Sequence, residues 1–223
     1  MLHFLKPYFY RRFKTSLSKS GEDIQLWQLL KKSKGTYIDI GGHHPIFGNN
    51  SYFFYIRKWR GIIVEPNPIF LPLYQKYRPE DVFISAGVGD NDGEMNYYEF
   101  ESSFLNTFSE SYIFENNLNN SIKKIGVKPV FTLDSIISKS IFKNQQIDFL
   151  SIDVEGLELE VVKGNDWDNF RPRIVLLESH RYLDEDLSSV VHGFLLNKEY
   201  RLLGKSLLAK EIGTMWYLDT KNF

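Results

Sequence analysis

The sequence predicts an α/β fold: a doubly wound sheet, mostly parallel, with an antiparallel C-terminal edge. Three observations carry this reading. Strand-like and helix-like segments alternate from about residue 22 to residue 196, as parallel strands joined by crossover helices do. Acidic residues stand at the ends of the early apolar runs: Asp39 in Thr36-Tyr37-Ile38-Asp39-Ile40, before Gly41-Gly42, and Glu65 after Gly61-Ile62-Ile63-Val64. Tyr200–Leu203 and Thr214–Leu218 flank a Gly- and Lys-containing connection, the signature of a closing antiparallel pair.

Each element follows in order. Ile24, Trp27, Leu29 and Leu30 recur at helical spacing within Glu22–Lys32. Strand 36–40 leads through a loop containing Pro45 to a helix over Ser51–Trp59. Strand 61–65 precedes a helix near Ile69–Tyr77, and Val82–Ala86 is a third strand ending at Gly87-Val88-Gly89-Asp90. Met95–Phe100 reads as another strand. Residues 101–128 are rich in Asn and Ser with no clean periodicity, so they read as a long irregular insert, and such inserts in compact domains are commonly functional. Thr132 starts a short helix. Strand 147–153 follows, then a helix to Lys163, a strand over Arg173–Glu178 and a helix over about Asp184–Leu196. Two regions are expected: a basic, aromatic helical extension over 1–34, and a ligand-binding domain over 35–223 with 101–128 as a cover for the substrate.

Composition narrows the function. A formal charge of −1 argues against a protein held on nucleic acid by backbone electrostatics. Locally, Lys6, Arg11, Arg12, Lys14 and Lys19 alternate with Phe4, Tyr8, Phe9, Tyr10 and Phe13, which suits a docked helix with a basic face or a peripheral membrane contact through residues 1–20. The absence of cysteine excludes disulfide and thiolate chemistry. No apolar run reaches the ~18 residues of a membrane span, so a cytoplasmic protein is expected. Aromatic residues at 16% fill a core, line a pocket or form an interface, a homodimer included.

Ligands of open α/β sheets bind outside the carboxyl ends of the strands. Polar residues collect there: Asp39, Gly41, Gly42, His43 and His44, then Glu65, Asp90, Asp153 with Glu155, and Glu178 with His180. Glycines after a strand let a ligand approach the backbone, and a carboxylate ending the next strand accepts both hydroxyls of a ribose. A dinucleotide site needs Gly-x-Gly-x-x-Gly to seat a pyrophosphate. Here His44 occupies the third glycine position and Pro45 adds bulk. An adenosine ligand without a diphosphate fits better, and S-adenosylmethionine is one. Asp90, one strand further, is placed to accept the adenine amino group.

A set of motifs in order then resembles the FkbM-type methyltransferases: Tyr37-Ile-Asp-Ile-Gly-Gly, Trp59-Arg-Gly-Ile-Ile-Val-Glu-Pro-Asn-Pro, Gly87-Val-Gly-Asp, Asn106-Thr-Phe-Ser, Thr132-Leu-Asp-Ser and Ile152-Asp-Val-Glu-Gly-Leu-Glu, completed by Lys163-Gly164 and the Arg173–Glu178 strand. The resemblance implies a class I Rossmann-like methyltransferase using S-adenosylmethionine on a hydroxyl of a sugar or polyketide-like acceptor. It implies cofactor contacts from Asp39, Gly41, Gly42, Glu65, Asp90 and Asp153, and from Asn50 and Ser51 toward the methionine carboxylate. The loop Gly42-His43-His44-Pro45 departs from the commoner Gly-Ala-Asn-x-Gly.

Methyl transfer to oxygen requires alignment of oxygen, methyl and sulfur, and removal of the hydroxyl proton. The candidate bases are His180, Glu155 and His44. Glu178 and His180 share one strand face, as do Asp153 and Glu155. Asp153, Glu178 and His180 then form a potential Mg²⁺ or Mn²⁺ site, with a metal-free acid/base pair as the alternative. The expected acceptor is a carbohydrate, a nucleotide-activated sugar for surface polysaccharide among the choices. An N-methyltransferase on an amino sugar, a nicotinamide-dependent sugar oxidoreductase and a non-catalytic nucleoside-binding module are the competing readings.

Overall fold

The computed structural model describes residues 15–222. Along the chain, α1 (Glu22–Leu30) precedes β1 (Thr36–Ile40), the single-turn α2 (Tyr52–Tyr55), β2 (Arg60–Val64), α3 (Leu71–Tyr77) and β3 (Val82–Ile84). Next come β4 (Gly87–Val88), β5 (Gly93–Glu99), α4 (Glu110–Glu115), β6 (Lys124–Phe131) and α5 (Leu133–Ser138). The remainder is β7 (Phe149–Ile152), α6 (Glu158–Lys163), β8 (Ile174–His180), α7 (Leu183–Leu187), α8 (Val190–Asn197), β9 (Tyr200–Leu207) and β10 (Ile212–Asp219).

The main sheet has seven strands in the order β3-β2-β1-β7-β8-β10-β9. The first five are parallel, and β10 runs antiparallel between β8 and β9. Both faces are covered, which is why β1 is buried at all five positions and reads as a nearly continuous apolar run. Ile38 and Ile40 join Ile62, Val64, Leu150, Ile152 and the helical Val161, Val162 and Leu195 on one side. Tyr37 joins Leu26, Leu30, Phe54, Trp59, Phe149 and Trp216 on the other. Much of the aromatic surplus is therefore core: Tyr37 stacks on Phe149 at 5.5 Å, and Phe54 packs on Trp59 at 4.8 Å between ring centres.

Several elements differ from expectation. The helix expected over Ser51–Trp59 is one turn. That expected over Asp184–Leu196 breaks at Ser188-Ser189, where the Ser189 hydroxyl caps α8 by accepting from the His192 N–H at 3.2 Å. The fourth parallel strand ends at Ile152, so Asp153 and Glu155 lie on the following loop rather than on one strand face. Glu155 has φ +54°, a left-handed conformation uncommon for a residue with a side chain. The fifth strand runs two residues further than expected, because β10 pairs Gly213 with Ser179 and Ile212 with His180.

The stretch 101–128 is more ordered than its composition suggests. Its last residues begin β6, the centre of a second sheet of order β4-β6-β5. Pro129, Gly126 and outward-facing Ile125 and Val127 spoil the alternation that marks a strand. The amphipathic-helix expectation for residues 1–14 lies outside the described residues; 15–20 are irregular. There the Asp23 carboxylate accepts from the Leu17 N–H and the Ser16 hydroxyl, both at 2.6 Å. Among the described residues, no helix is long and apolar enough to cross a membrane.

Candidate active site

The carboxyl ends of β1, β2 and β7 open into a cleft lined by Asp39, Gly41, Gly42, His43, Glu65 and Asp153, among others. Gly41 takes φ +77°, and a Cβ there would lie 1.7 Å from the Asp153 carbonyl oxygen. The glycine is thus required by the approach of two loops of the protein itself, which brings the tips of β1 and β7 together. A Cβ on Gly42 would strike Ile63 at 2.5 Å and the Tyr74 hydroxyl at 2.8 Å.

Glu65 is buried and accepts from the backbone N–H of His43 at 2.9 Å and of Asn67 at 2.7 Å. Burial outweighs these bonds and pushes its carboxyl up to about 7. Asp39 is also buried; the Ser51 hydroxyl donates to it at 2.5 Å, and burial pushes it up to about 6. Behind them Arg78, buried, donates to the Ser51 hydroxyl at 2.9 Å, Asn49 Oδ1 at 3.0 Å and the Tyr37 hydroxyl at 3.0 Å, and pairs with Asp81 at 2.8 Å. Asn49 Nδ2 returns to the Gly42 carbonyl at 2.8 Å. This network fixes the loop after β1.

Three expected residues are not where the sequence suggested. His44 does not line the cleft: its Nδ1 accepts from the N–H groups of Ile46 and Phe47, both at 3.2 Å, closing its own turn. His43 takes its place, with φ +42°. Its ring lies 4.3 Å from Phe70 and 4.2 Å from Phe104, and its Nε2 is 2.9 Å from the Ser103 hydroxyl. Burial, with Lys19 nearby, lowers it to about 4. Asp90 is exposed, bonded to the Asn91 amide and outside the cleft. The Ser51 N–H is consumed by Asn49 Oδ1 at 3.0 Å, and its hydroxyl faces Asp39. No helix N-terminus is therefore free there to take a methionine carboxylate. Asn50 does line the cleft, donating to the Ser151 hydroxyl at 3.0 Å.

Beyond Asp153 the site continues onto β8. Lys19 Nζ, from the segment before α1, lies 2.9 Å from Asp153 Oδ2 and 3.3 Å from Glu178 Oε1. Burial opposes its charge, but these carboxylates outweigh it and raise its pKa. Asp153 is pushed up to about 7 by burial and by the charge of Glu178, against Lys19. Glu178 is held below the usual range despite burial, by its pairing with Asp153, His180 and Lys19. His180 Nε2 sits 3.4 Å from Glu178 Oε2 and 3.6 Å from Glu155 Oε2. Its pairing with Glu178 raises it to about 9, against burial. Glu155, rather than Asp153, is the carboxylate grouped with Glu178 and His180, their ligand atoms all within 4.8 Å.

The stretch 101–128 roofs this arrangement. Ser103, Phe104, Asn106 and Phe108 line the cleft, while Ser111, Tyr112, Glu115 and Asn116 line a second cavity of about 440 Å³ beside Glu178 and His180. The Thr107 hydroxyl donates to the Glu155 carbonyl at 2.7 Å, tying the roof to the loop after β7. Asn106 and Phe108 fall in a quoted motif. Lys19 had no local signal: it reads as one more charge in a basic stretch, and its partners lie 134 and 159 positions away.

The cleft suits S-adenosylmethionine chemically. A buried carboxylate at the tip of β2 is a hydroxyl acceptor, and no glycine-rich turn is present to seat a diphosphate. Its clear space is only about 70 Å³, below the ~300–1,000 Å³ of ligand pockets. The stack of His43 on Phe104, whose ring is half exposed, narrows it.

The fold recurs in solved methyltransferases of low sequence identity. One is a 1,6-didemethyltoxoflavin-N1-methyltransferase from Burkholderia thailandensis (TM-score 0.50, 9% identity, covering 99% of this chain and 87% of that one). Weaker likenesses are to a TehB-like SAM-dependent methyltransferase from Corynebacterium glutamicum (0.47, 7%, 98% and 94%) and a putative O-methyltransferase from Klebsiella pneumoniae (0.48, 8%, 92% and 82%). A search of curated proteins by sequence gives no match. The model of the methyltransferase FkbM domain matches residues 39–202, most of the chain and every strand tip described above. The chain therefore belongs to the FkbM family and is an S-adenosylmethionine-dependent methyltransferase.

Proposed function

We propose that the chain is an O-methyltransferase acting on a neutral carbohydrate hydroxyl. The observation that carries this reading is the juxtaposition of cleft and cavity. The cofactor cleft and the 440 Å³ cavity meet at Asp153, Glu155, Glu178 and His180 under a shared polar and aromatic roof. Glu65 and Asp39 would hold the adenosine half of the cofactor. Bound S-adenosylmethionine supplies a methyl group on a sulfonium, which an oxygen in line with the C–S bond displaces.

The chain's own residues align that oxygen and take its proton. Alignment is worth up to ~7–11 kcal/mol of the barrier, and a general base adds about 10²–10⁴-fold. His180 is charged at neutral pH and serves to orient rather than to accept a proton. Asp153, with a pKa of about 7 and a position on the cleft wall, is the proton acceptor. Lys19 beside it steadies the negative charge developing on the acceptor oxygen. Residues 101–128 act as the acceptor cover, Tyr112 presenting a ring beside His180 at 5.9 Å.

The cavity wall carries Glu115, Glu158, Glu160, Glu178 and Asp186 against Arg181 and His180. This acidity disfavours a nucleoside diphosphate sugar inside the cavity. It favours one second reading, N-methylation of an amino sugar. Labelled methyl transfer to a panel of neutral glycosides, amino sugars and nucleotide sugars tests the proposal. Label in a neutral glycoside ether is expected. Label only on amine nitrogen, or only on nucleotide sugars, contradicts it.

A further inference from the structure

Glu155 Oε2, Glu178 Oε2 and His180 Nε2 are buried and have no hydrogen-bond partner. All three point at one another. The Glu178 side chain is only 10% exposed and that of Glu155 only 12%. Leaving such groups unpaired in the interior is costly, so their convergence calls for an occupant. Separations of 3.4 Å and 3.6 Å from His180 Nε2 fit its size. Two neighbouring ligands about 2.2 Å from one six-coordinate centre lie about 3.1 Å apart, so the side chains need close by only a few tenths of an ångström.

Charge points the same way. A cation there would meet the carboxylates of Glu155 and Glu178, each close to the His180 imidazole, which gives up its proton on binding. A mixed set of two oxygens and one nitrogen suits a first-row divalent ion better than Ca²⁺, which takes oxygens alone. We propose that Glu155, Glu178 and His180 bind one divalent cation of the Mn²⁺ class, on the wall between cofactor cleft and acceptor cavity. Its role rests on the O-methyltransferase reading. An open coordination position receives the acceptor hydroxyl and acidifies it. The proton passes to Asp153, the oxygen's electron pair forms the O–CH₃ bond, and the S–CH₃ bond breaks to leave S-adenosylhomocysteine.

Mn²⁺ titrated into the purified chain, with free Mn²⁺ read by electron paramagnetic resonance, tests the site. Thermal stabilisation by S-adenosylhomocysteine is measured on the same samples. Saturable uptake of one Mn²⁺ per chain is expected. It should weaken about tenfold or more in Glu178→Gln and His180→Gln, neither of which lines the cofactor cleft, so both should keep the S-adenosylhomocysteine response. Lys19→Met, which removes the neighbouring ammonium, should tighten Mn²⁺ binding. No saturable uptake by the wild type, or equal uptake in both ligand variants, overturns the site. Mn²⁺ uptake without any S-adenosylhomocysteine response supports the site and contradicts the cofactor cleft alone.

Discussion

Glu65 fixes two loops with one carboxylate and, on the proposed function, holds the ribose as well. Its two oxygens already accept from His43 and Asn67, which fixes the loops after β1 and β2 around it. Its free lone pairs remain for hydroxyl donors. Burial raises Glu65 to about 7 and Asp39 to about 6, above the ~4 of carboxyls in an unfolded chain. Their contribution to stability is therefore full below pH about 4 and is lost as pH rises through 6 to 7. Ribose hydroxyls favour the ionised form, so cofactor affinity runs the other way. Calorimetric titration should show S-adenosylhomocysteine binding about tenfold tighter at pH 8 than at pH 6. A flat profile would remove Glu65 from the ribose contact. This acid was legible in the sequence because it closes an apolar run. The choice between His43 and His44 was not, since a single left-handed residue decides which ring enters the cleft.

At the scale of elements, the loop after β1 is held by a residue from the end of α3. Arg78 ties Asn49, Ser51 and Tyr37 to Asp81, and the Asp81 side chain is 1% exposed. Arg78→Met should leave the Asp81 carboxylate buried without a cation, only the Tyr37 hydroxyl and the Gly61 N–H still donating to it. Urea denaturation should then report a loss of about 3–5 kcal/mol; a loss below about 1 kcal/mol would mean that water or another group takes over the pairing. Strands β1, β2, β7 and β8 were readable because burial on both faces makes them apolar throughout. Strand β6 was not, because Pro129, Gly126 and two exposed apolar residues conceal its period. The single turn at α2 was over-read for a related reason. Its aromatic residues are demanded by the core around Trp59 and Phe149 rather than by a helix.

For the whole molecule, the fold brings the carboxyl ends of β1, β2, β7 and β8 to one rim, and the stretch 101–128 covers it. The strand tips and the approach of Glu178 and His180 to the end of β7 could be read from the sequence, but the entry of Lys19 could not. Lys19 joins Asp153 and Glu178 across more than half the chain, and Glu155 reaches His180 only because its backbone turns left-handed. On the proposed function, the cofactor's sugar lies against Glu65 and its reactive end toward Asp153, next to the cavity beside Glu178 and His180. A crystal structure of the chain with S-adenosylhomocysteine tests this most directly. Both ribose hydroxyls should lie within hydrogen-bond distance of Glu65, with the sulfur on the Asp153 side of the cleft. A ribose held away from Glu65, or a sulfur turned from Asp153, would contradict it.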